Sequence, residues 1–202
     1  MLRPVVRVLL ALALYSCGAC ATGAGSASGS SSVGELTDLP IARAPFAHVE
    51  ANWKQRLDQA YVYVELVGSY TRIGKALEST DRALREQGIE PSGPPFALYF
   101  DDPAEVPTEQ LRARACFPVD SRVDVREPLA CDLLPGTTVV YAYVAGPYPE
   151  VPRAYPGVFA FLERMRWREA GPIREIYWVH PGTVKDWNEL VTEVQVPATA
   201  RE

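Results

Sequence analysis

The sequence contains an internal duplication, and this feature restricts the fold more than any other. Moving the segment 61–103 forward by 78 positions aligns it with 139–181 without a gap. Several identities fall at the ends of apolar runs and at turn residues: Val62 with Val140, Tyr63 with Tyr141, Gly68 with Gly146, Tyr70 with Tyr148, Leu84 with Leu162, Pro94 with Pro172 and Tyr99 with Tyr177. Average composition does not give this many matches by chance. The chain therefore predicts two copies of one structural unit, at 61–119 and 138–197.

Each copy carries the same order of secondary-structure signals. A β-rich run is stopped by glycine, and a stretch with apolar residues at helical spacing follows it. A second strand, a loop with proline and a third strand complete the unit. The pattern predicts an α+β fold made of two β-α-β-β modules, in which a mostly antiparallel sheet carries both helices on one face. A ligand cleft is expected on the pseudo-two-fold axis between the modules.

Alternation along the strands predicts which side chains face the helices and which reach the uncovered face. The apolar residues expected under the helices are Val62, Val64, Leu66, Leu98, Phe100, Ile176 and Trp178. The opposite parity predicts an aromatic and acidic set on the uncovered face, made of Tyr63, Glu65, Tyr99, Tyr141, Tyr143, Glu175 and Tyr177.

Glu175 is the most informative member of that set. A partly desolvated carboxylate prefers a cation or a proton, and aromatic faces attract cations by about 0.5 to 2 kcal/mol each. Its counterpart in the first copy is Ala97, so the duplication does not itself require an acid there. The alternative is an ordinary solvated sheet face, in which Glu175 and the tyrosines have no ligand. The sequence indicates no metal site and no cofactor.

Three segments of the second copy, with their order and spacing, resemble a known family. They are "VYAYVAGPYPEV" at 140–151, "GPIREIYWVHP" at 171–181 and "TEVQVP" at 192–197. The chain resembles the GyrI-like small-molecule-binding domains over roughly 45–198, a family that also supplies effector-binding domains to multidrug-sensing regulators. The resemblance implies a hydrophobic small-molecule ligand, often an aromatic cation, and places the pocket carboxylate of the family on Glu175. It also implies a second activity, because some GyrI-like proteins resemble hydrolases that use a pocket glutamate as general base.

The N-terminus predicts export and lipid anchoring. Residues 1–20 have a basic start and an apolar run too short to span a bilayer. They include Leu14-Tyr15-Ser16-Cys17, which resembles a bacterial lipobox with Cys17 as the lipid acceptor; Cys20 is the alternative acceptor. Residues 21–37 form a Gly/Ser/Ala tether, residues 38–60 a lead-in, and residues 61–198 the folded domain. Gly18 after the cysteine favours the periplasmic face of the outer membrane over the inner membrane.

Charge and cysteine content restrict the partners further. The net charge of -5 does not favour a nucleic-acid partner. Cys116 and Cys131 would lie in an oxidising compartment, where they form a disulfide or remain as two free thiols.

The sequence thus predicts an envelope-anchored protein that binds a hydrophobic small molecule, neutral or cationic. One alternative is a small-molecule hydrolase in which Glu175 is the general base and Glu65 supplies a paired carboxylate. The other is a structural or partner-binding lipoprotein without a ligand.

Overall fold

The computed structural model describes residues 39–201. The predicted signal peptide with Cys17 and Cys20, the whole predicted tether (21–37) and residue 38 lie outside the described residues. The strands are β1 (Ile41–Ala42), β2 (Asn52–Arg56), β3 (Gln59–Val67), β4 (Phe96–Tyr99), β5 (Arg112–Pro118), β6 (Ala130–Leu134), β7 (Thr137–Ala145), β8 (Trp167–Glu169), β9 (Ile173–Tyr177) and β10 (Val191–Ala200). The helices are α1 (Ile73–Glu86) and α2 (Tyr155–Arg164). Neither of these two helices is long and apolar enough to cross a bilayer.

The described strands form a single ten-stranded sheet. Eight of them lie in the order β1-β7-β10-β9-β4-β5-β3-β6, while β2 also pairs with β7 and β8 with β10. Strand β1 runs parallel to β7, and the other described pairs are antiparallel. The predicted α+β fold with a mostly antiparallel sheet is confirmed.

The duplication is visible in the strand boundaries and in the centre of the sheet. Strands β3 and β7 begin at Gln59 and Thr137 and end at Val67 and Ala145, so both ends differ by the same 78 positions as the sequence repeat. The pseudo-two-fold axis passes between the antiparallel strands β4 and β9. There Ala97 lies opposite Glu175, its own counterpart in the repeat.

Each unit also has a strand that the sequence comparison did not reveal. Strands β2 (52–56) and β6 (130–134) stand in the same 78-residue relationship. Strand β2 pairs with β7 of the second unit, and β6 pairs with β3 of the first. The two units therefore exchange their first strands, and the segment 38–60 contributes β1 and β2 to the common sheet.

Both helices pack on one face of the sheet, as predicted. Helix α1 buries Ala83 and Leu84 against Val62 of β3. Helix α2 buries Val158 and Leu162 against Val194 of β10 and its neighbours. Buried and partly buried positions recur every three or four residues, Leu77, Thr80, Ala83 and Leu84 on α1 and Val158, Phe161 and Leu162 on α2, and so form one stripe on each helix. A 3₁₀ turn over Tyr148–Ala154, which contains Pro152, delays the start of α2.

A third buried cluster lies on the opposite, helix-free face. It consists of Tyr61, Phe96, Leu98, Cys116, Leu134 and Ile176. Cys131 packs instead against the α1 cluster on the helix-covered face. Cys116 and Cys131 are on strands that flank β3, so their Cα atoms are two strand spacings apart, about 9 to 10 Å. A disulfide needs less than about 7 Å, and both thiols are free.

Candidate functional site

Glu175 lies on the helix-covered face, between the α1 and α2 clusters. Residues that are opposite one another on neighbouring strands share a face, and Glu175 is opposite Ala97 on β4 and Val194 on β10. Val194 belongs to the core beneath α2. The side chain is only 4% exposed. The acid is therefore a core residue at the junction of the two units.

The prediction that Glu175, Tyr99 and Tyr177 face away from the helices is wrong. It assumed that the larger apolar residues of β4 and β9 would pack under the helices. Leu98 and Ile176 instead form the buried cluster of the helix-free face, and the strand alternation then turns their neighbours toward the helices. Phe100 and Trp178, also expected under the helices, are 38% and 39% exposed.

Three tyrosine hydroxyls surround the Glu175 carboxylate. Tyr155 Oη donates to Oε1 over 2.7 Å. Tyr177 Oη donates to Oε2 over 2.9 Å, and Tyr99 Oη lies 3.3 Å from the same oxygen. The Tyr99 and Tyr177 hydroxyls are also hydrogen-bonded to each other over 3.0 Å. The carboxylate is therefore bonded at both oxygens, entirely by neutral phenols.

A second pair of tyrosines packs around this inner group and repeats the symmetry. Tyr70 packs edge-on against Tyr99, and Tyr148 packs at a tilt against Tyr177, both with ring centroids 4.8 Å apart. Tyr70 Oη donates to the Asp101 carbonyl over 3.0 Å and Tyr148 Oη to the corresponding Val179 carbonyl over 3.1 Å. The aromatic walls are thus held by matching backbone contacts in the two units.

Burial dominates the electrostatics of the site. It raises the pKa of the Glu175 carboxyl, and the hydrogen bonds from Tyr155, Tyr177 and Tyr99 offset part of that rise. Burial, and then the Glu175 charge, raise the pKa of Tyr155 well above its ordinary value. None of the described lysines and arginines forms an ion pair with Glu175. Such an acid favours a proton or an added cation.

Comparison with family models assigns the fold. The model of the GyrI-like small molecule binding domain matches residues 54–199. The chain belongs to the GyrI-like family. Among the curated proteins, none matches the chain closely enough to count as a relative.

Solved structures share the GyrI-like fold at low sequence identity. The C-terminal domain of EcmrR has a TM-score of 0.65 and 19% identity, over 76% of this chain and 99% of that domain. A hydrolase encoded by lin2189 from Listeria innocua has a TM-score of 0.58 and 11% identity, over 83% of this chain and 96% of its own. SAV2435, solved bound to tetraphenylphosphonium, has a TM-score of 0.51 and 11% identity, over 74% of this chain and 94% of its own. The likeness covers 58% of the EcmrR chain solved with DNA.

The other predicted site residues of this GyrI-like chain lie on the helix-free face, away from Glu175. The Arg114 guanidinium lies 4.1 Å from the Tyr63 ring centroid, and Lys54 Nζ lies 4.5 Å from that of Tyr141. Glu65 forms a 3.3 Å ion pair with Arg114. Tyr143 is buried, and burial followed by the Glu193 charge raises its pKa. The sheet thus divides the predicted set into two groups, and Glu65 does not pair with Glu175.

Sequence reasoning missed three of the tyrosines that surround Glu175, namely Tyr70, Tyr148 and Tyr155. Tyr70 and Tyr148 coincide in the repeat, and that identity is a signal that could have revealed them. Tyr155 corresponds in the repeat to Leu77, which packs against the α1 core, so the repeat gives no sign of a polar role. The contact between Tyr155 and Glu175 can be inferred only when it is known that the Glu175 side chain of β9 points toward the helices.

The carboxylate is enclosed by its own tyrosines. Glu175 lines neither the cavity beside Glu65 and Arg112 nor the cavity beside Arg56 and Arg174. Tyr99 and Tyr155 are half-buried, whereas Glu175 and Tyr177 are buried. A ligand that reaches the acid must displace the partly exposed rings.

Proposed function

We propose that this GyrI-like chain binds a hydrophobic organic cation at Glu175. The observation that carries the proposal is a buried carboxylate with no ion pair among the described residues and with hydrogen bonds only from tyrosines. A cation that enters between these rings gains the carboxylate charge and several aromatic faces in a desolvated space. The complex of SAV2435 with tetraphenylphosphonium supports this ligand class on the same fold.

Calorimetric titration of the purified full-length chain with tetraphenylphosphonium tests the proposal. We expect saturable binding, and a loss of at least about tenfold in affinity in Glu175→Gln, which corresponds to roughly 1.4 kcal/mol. Neutral triphenylphosphine oxide should bind much more weakly than the cation.

Glu65→Gln is the matched control, because it removes the same charge from an exposed acid on the other face. It should leave the affinity unchanged. Equal affinity of wild type and Glu175→Gln for the cation would refute the role of the carboxylate.

One observation favours a second candidate function, hydrolysis with Glu175 as general base. Burial raises the pKa of this carboxyl toward the range in which a general base is effective. The hydrolase encoded by lin2189, which shares this fold, supports hydrolysis as a class of function. In that case Glu175→Gln abolishes turnover of an electrophilic substrate while binding persists. If neither binding nor turnover is found with a diverse compound panel, a structural or partner-binding role takes precedence.

The proposed location is the cell envelope, with a lipid on Cys17 and the domain on the outer-membrane periplasmic face. The lipobox and the tether of the sequence support it. An anchored domain of this kind would meet hydrophobic molecules as they cross the envelope.

A further inference from the structure

The helix-free face carries a second polar site, separate from Glu175. A cavity of about 380 Å³ lies between β2, β9, β10 and the loop that precedes β4. Its charged lining residues are three cations and one acid: Lys54, Arg56, Arg174 and Glu193. The cavity wall therefore has an excess of positive charge.

Arg174 is the most unusual of these residues, because it is only 4% exposed. Its guanidinium carbon lies 3.8 Å from the centroid of the Phe96 ring, so the ring supports one side of the group. Its Nε is buried and has no hydrogen-bond partner among the described residues. A buried N–H of a charged group that has no hydrogen-bond partner destabilises the folded state.

Arg56 contributes a second set of unsatisfied donors to the same space. Its Nη2 donates to the Pro135 carbonyl over 2.7 Å, but its Nε and Nη1 are buried without a partner in the described part of the chain. The two guanidinium groups are close enough to repel. Burial, and then the charge of Arg56, lower the pKa of Arg174 to about 10.

The one acid of the cavity is already occupied by other donors. Glu193 is 1% exposed. Lys54 Nζ lies 2.6 Å from its Oε1, Gln195 Nε2 donates to the same oxygen over 2.7 Å, and Trp178 Nε1 donates to Oε2 over 3.3 Å. Glu193 therefore forms no hydrogen bond with either arginine, and its single negative charge is already paired with Lys54. Gln195 Oε1, buried in the same wall, has no partner in the described structure.

We propose that this cavity binds a small organic oxyanion, a carboxylate or a phosphate monoester. Planar guanidinium groups recognise such oxygens through paired N–H donors. Arg56 and Arg174 both line the cavity, and Gln195 Oε1 can accept a hydrogen bond from the P–OH of a singly ionised phosphate monoester. Ile176 and Trp178 also line the cavity and offer apolar surface to the organic part. The inference does not rest on the function proposed for Glu175, which lies on the other face.

Calorimetry of the purified full-length chain with phenyl phosphate and with benzoate tests the site, with phenol as the neutral probe. Wild type should bind the anions saturably and phenol much more weakly. Arg174→Met and Arg56→Met should each reduce anion affinity by about tenfold or more, because a charge-assisted hydrogen bond contributes about that factor. Arg122→Met, at an exposed arginine outside the cavity, should leave affinity unchanged.

Thermal unfolding separates a binding role from a structural one. Replacing an unpaired buried charge with an apolar side chain of similar size stabilises many proteins. Ligand-free Arg174→Met should therefore unfold at a higher temperature than wild type and lose the stabilisation that phenyl phosphate gives wild type. No saturable binding of either anion by wild type, or undiminished binding in both variants, would overturn the proposal.

Discussion

Ala97 and Glu175 lie directly opposite each other on β4 and β9, so a residue faces its own repeat counterpart across the pseudo-two-fold axis. An acid at both positions would put two carboxylates side by side in a desolvated space, where only one could ionise readily. The alanine leaves one charge on the axis. The tyrosines of both units, Tyr99 and Tyr177, converge on that single carboxylate.

The burial of Glu175 predicts a pH-dependent stability that Glu175→Gln removes. Because burial raises the carboxyl pKa, the folded protein holds this proton more tightly than the unfolded chain. The resulting stability is fully present below the ordinary pKa of 4.5 and is lost as the pH rises through the folded value. At neutral pH we expect ligand-free Glu175→Gln to be more stable than wild type, because the amide brings no charge into the buried site.

Thermal unfolding of both proteins between acid and neutral pH measures this difference. The advantage of Glu175→Gln should grow with pH, whereas Glu65→Gln should show no such trend. A difference between Glu175→Gln and wild type that is constant over the whole range would contradict the expectation.

Tyr155→Phe should weaken the site by removing its shortest hydrogen bond. The Tyr155 hydroxyl donates to Glu175 over 2.7 Å, and a hydrogen bond to a charged group contributes about 2 kcal/mol. We expect that loss near neutral pH, and a smaller one at acid pH, where Glu175 is protonated. Urea unfolding at the two pH values tests it. Tyr63→Phe, on the helix-free face, is the control, and an equal loss in both variants would argue against a specific role for Tyr155.

The repeat made the architecture predictable, except for the first strand of each unit, β2 and β6. Strands β3 and β7, both helices and the order of the later strands follow from aligned apolar runs and turn residues. Strands β2 and β6 have no residues in common at corresponding positions. They are equivalent only because β2 pairs with β7 as β6 pairs with β3, and the sequence does not reveal these pairings.

The sequence predicted the central residues of the site, Glu175, Tyr99 and Tyr177, but assigned them to the wrong face of the sheet. The carboxylate was recognisable because Glu175 interrupts the symmetry with Ala97. Its face was misjudged because both sides of β9 are buried, so apolar character does not distinguish them. A strand buried on both faces loses the alternation that assigns the side chains of an exposed sheet.

Cys17→Ser should release the protein from the membrane fraction, since the proposed lipid is its attachment. Fractionation followed by detection in the pellet and the supernatant measures the change. Cys20→Ser should leave the protein in the membrane fraction. Retention of Cys17→Ser in the pellet would indicate a different mode of attachment.

The exchange of β2 and β6 predicts that a chain starting at Leu57 is much less stable than one starting at Ala51, although it keeps every strand of the aligned repeats. It lacks β2, and with it the pairing of five residues with β7. It also loses Lys54, whose half-exposed ammonium group pairs with the buried Glu193 carboxylate, and a buried carboxylate that loses its cation destabilises the fold. Urea unfolding followed by circular dichroism compares the two chains. Lys54→Met in the longer chain should account for part of the loss, and the missing strand for the rest. Equal unfolding midpoints of the two shortened chains would show that β2 adds nothing to the stability of the sheet.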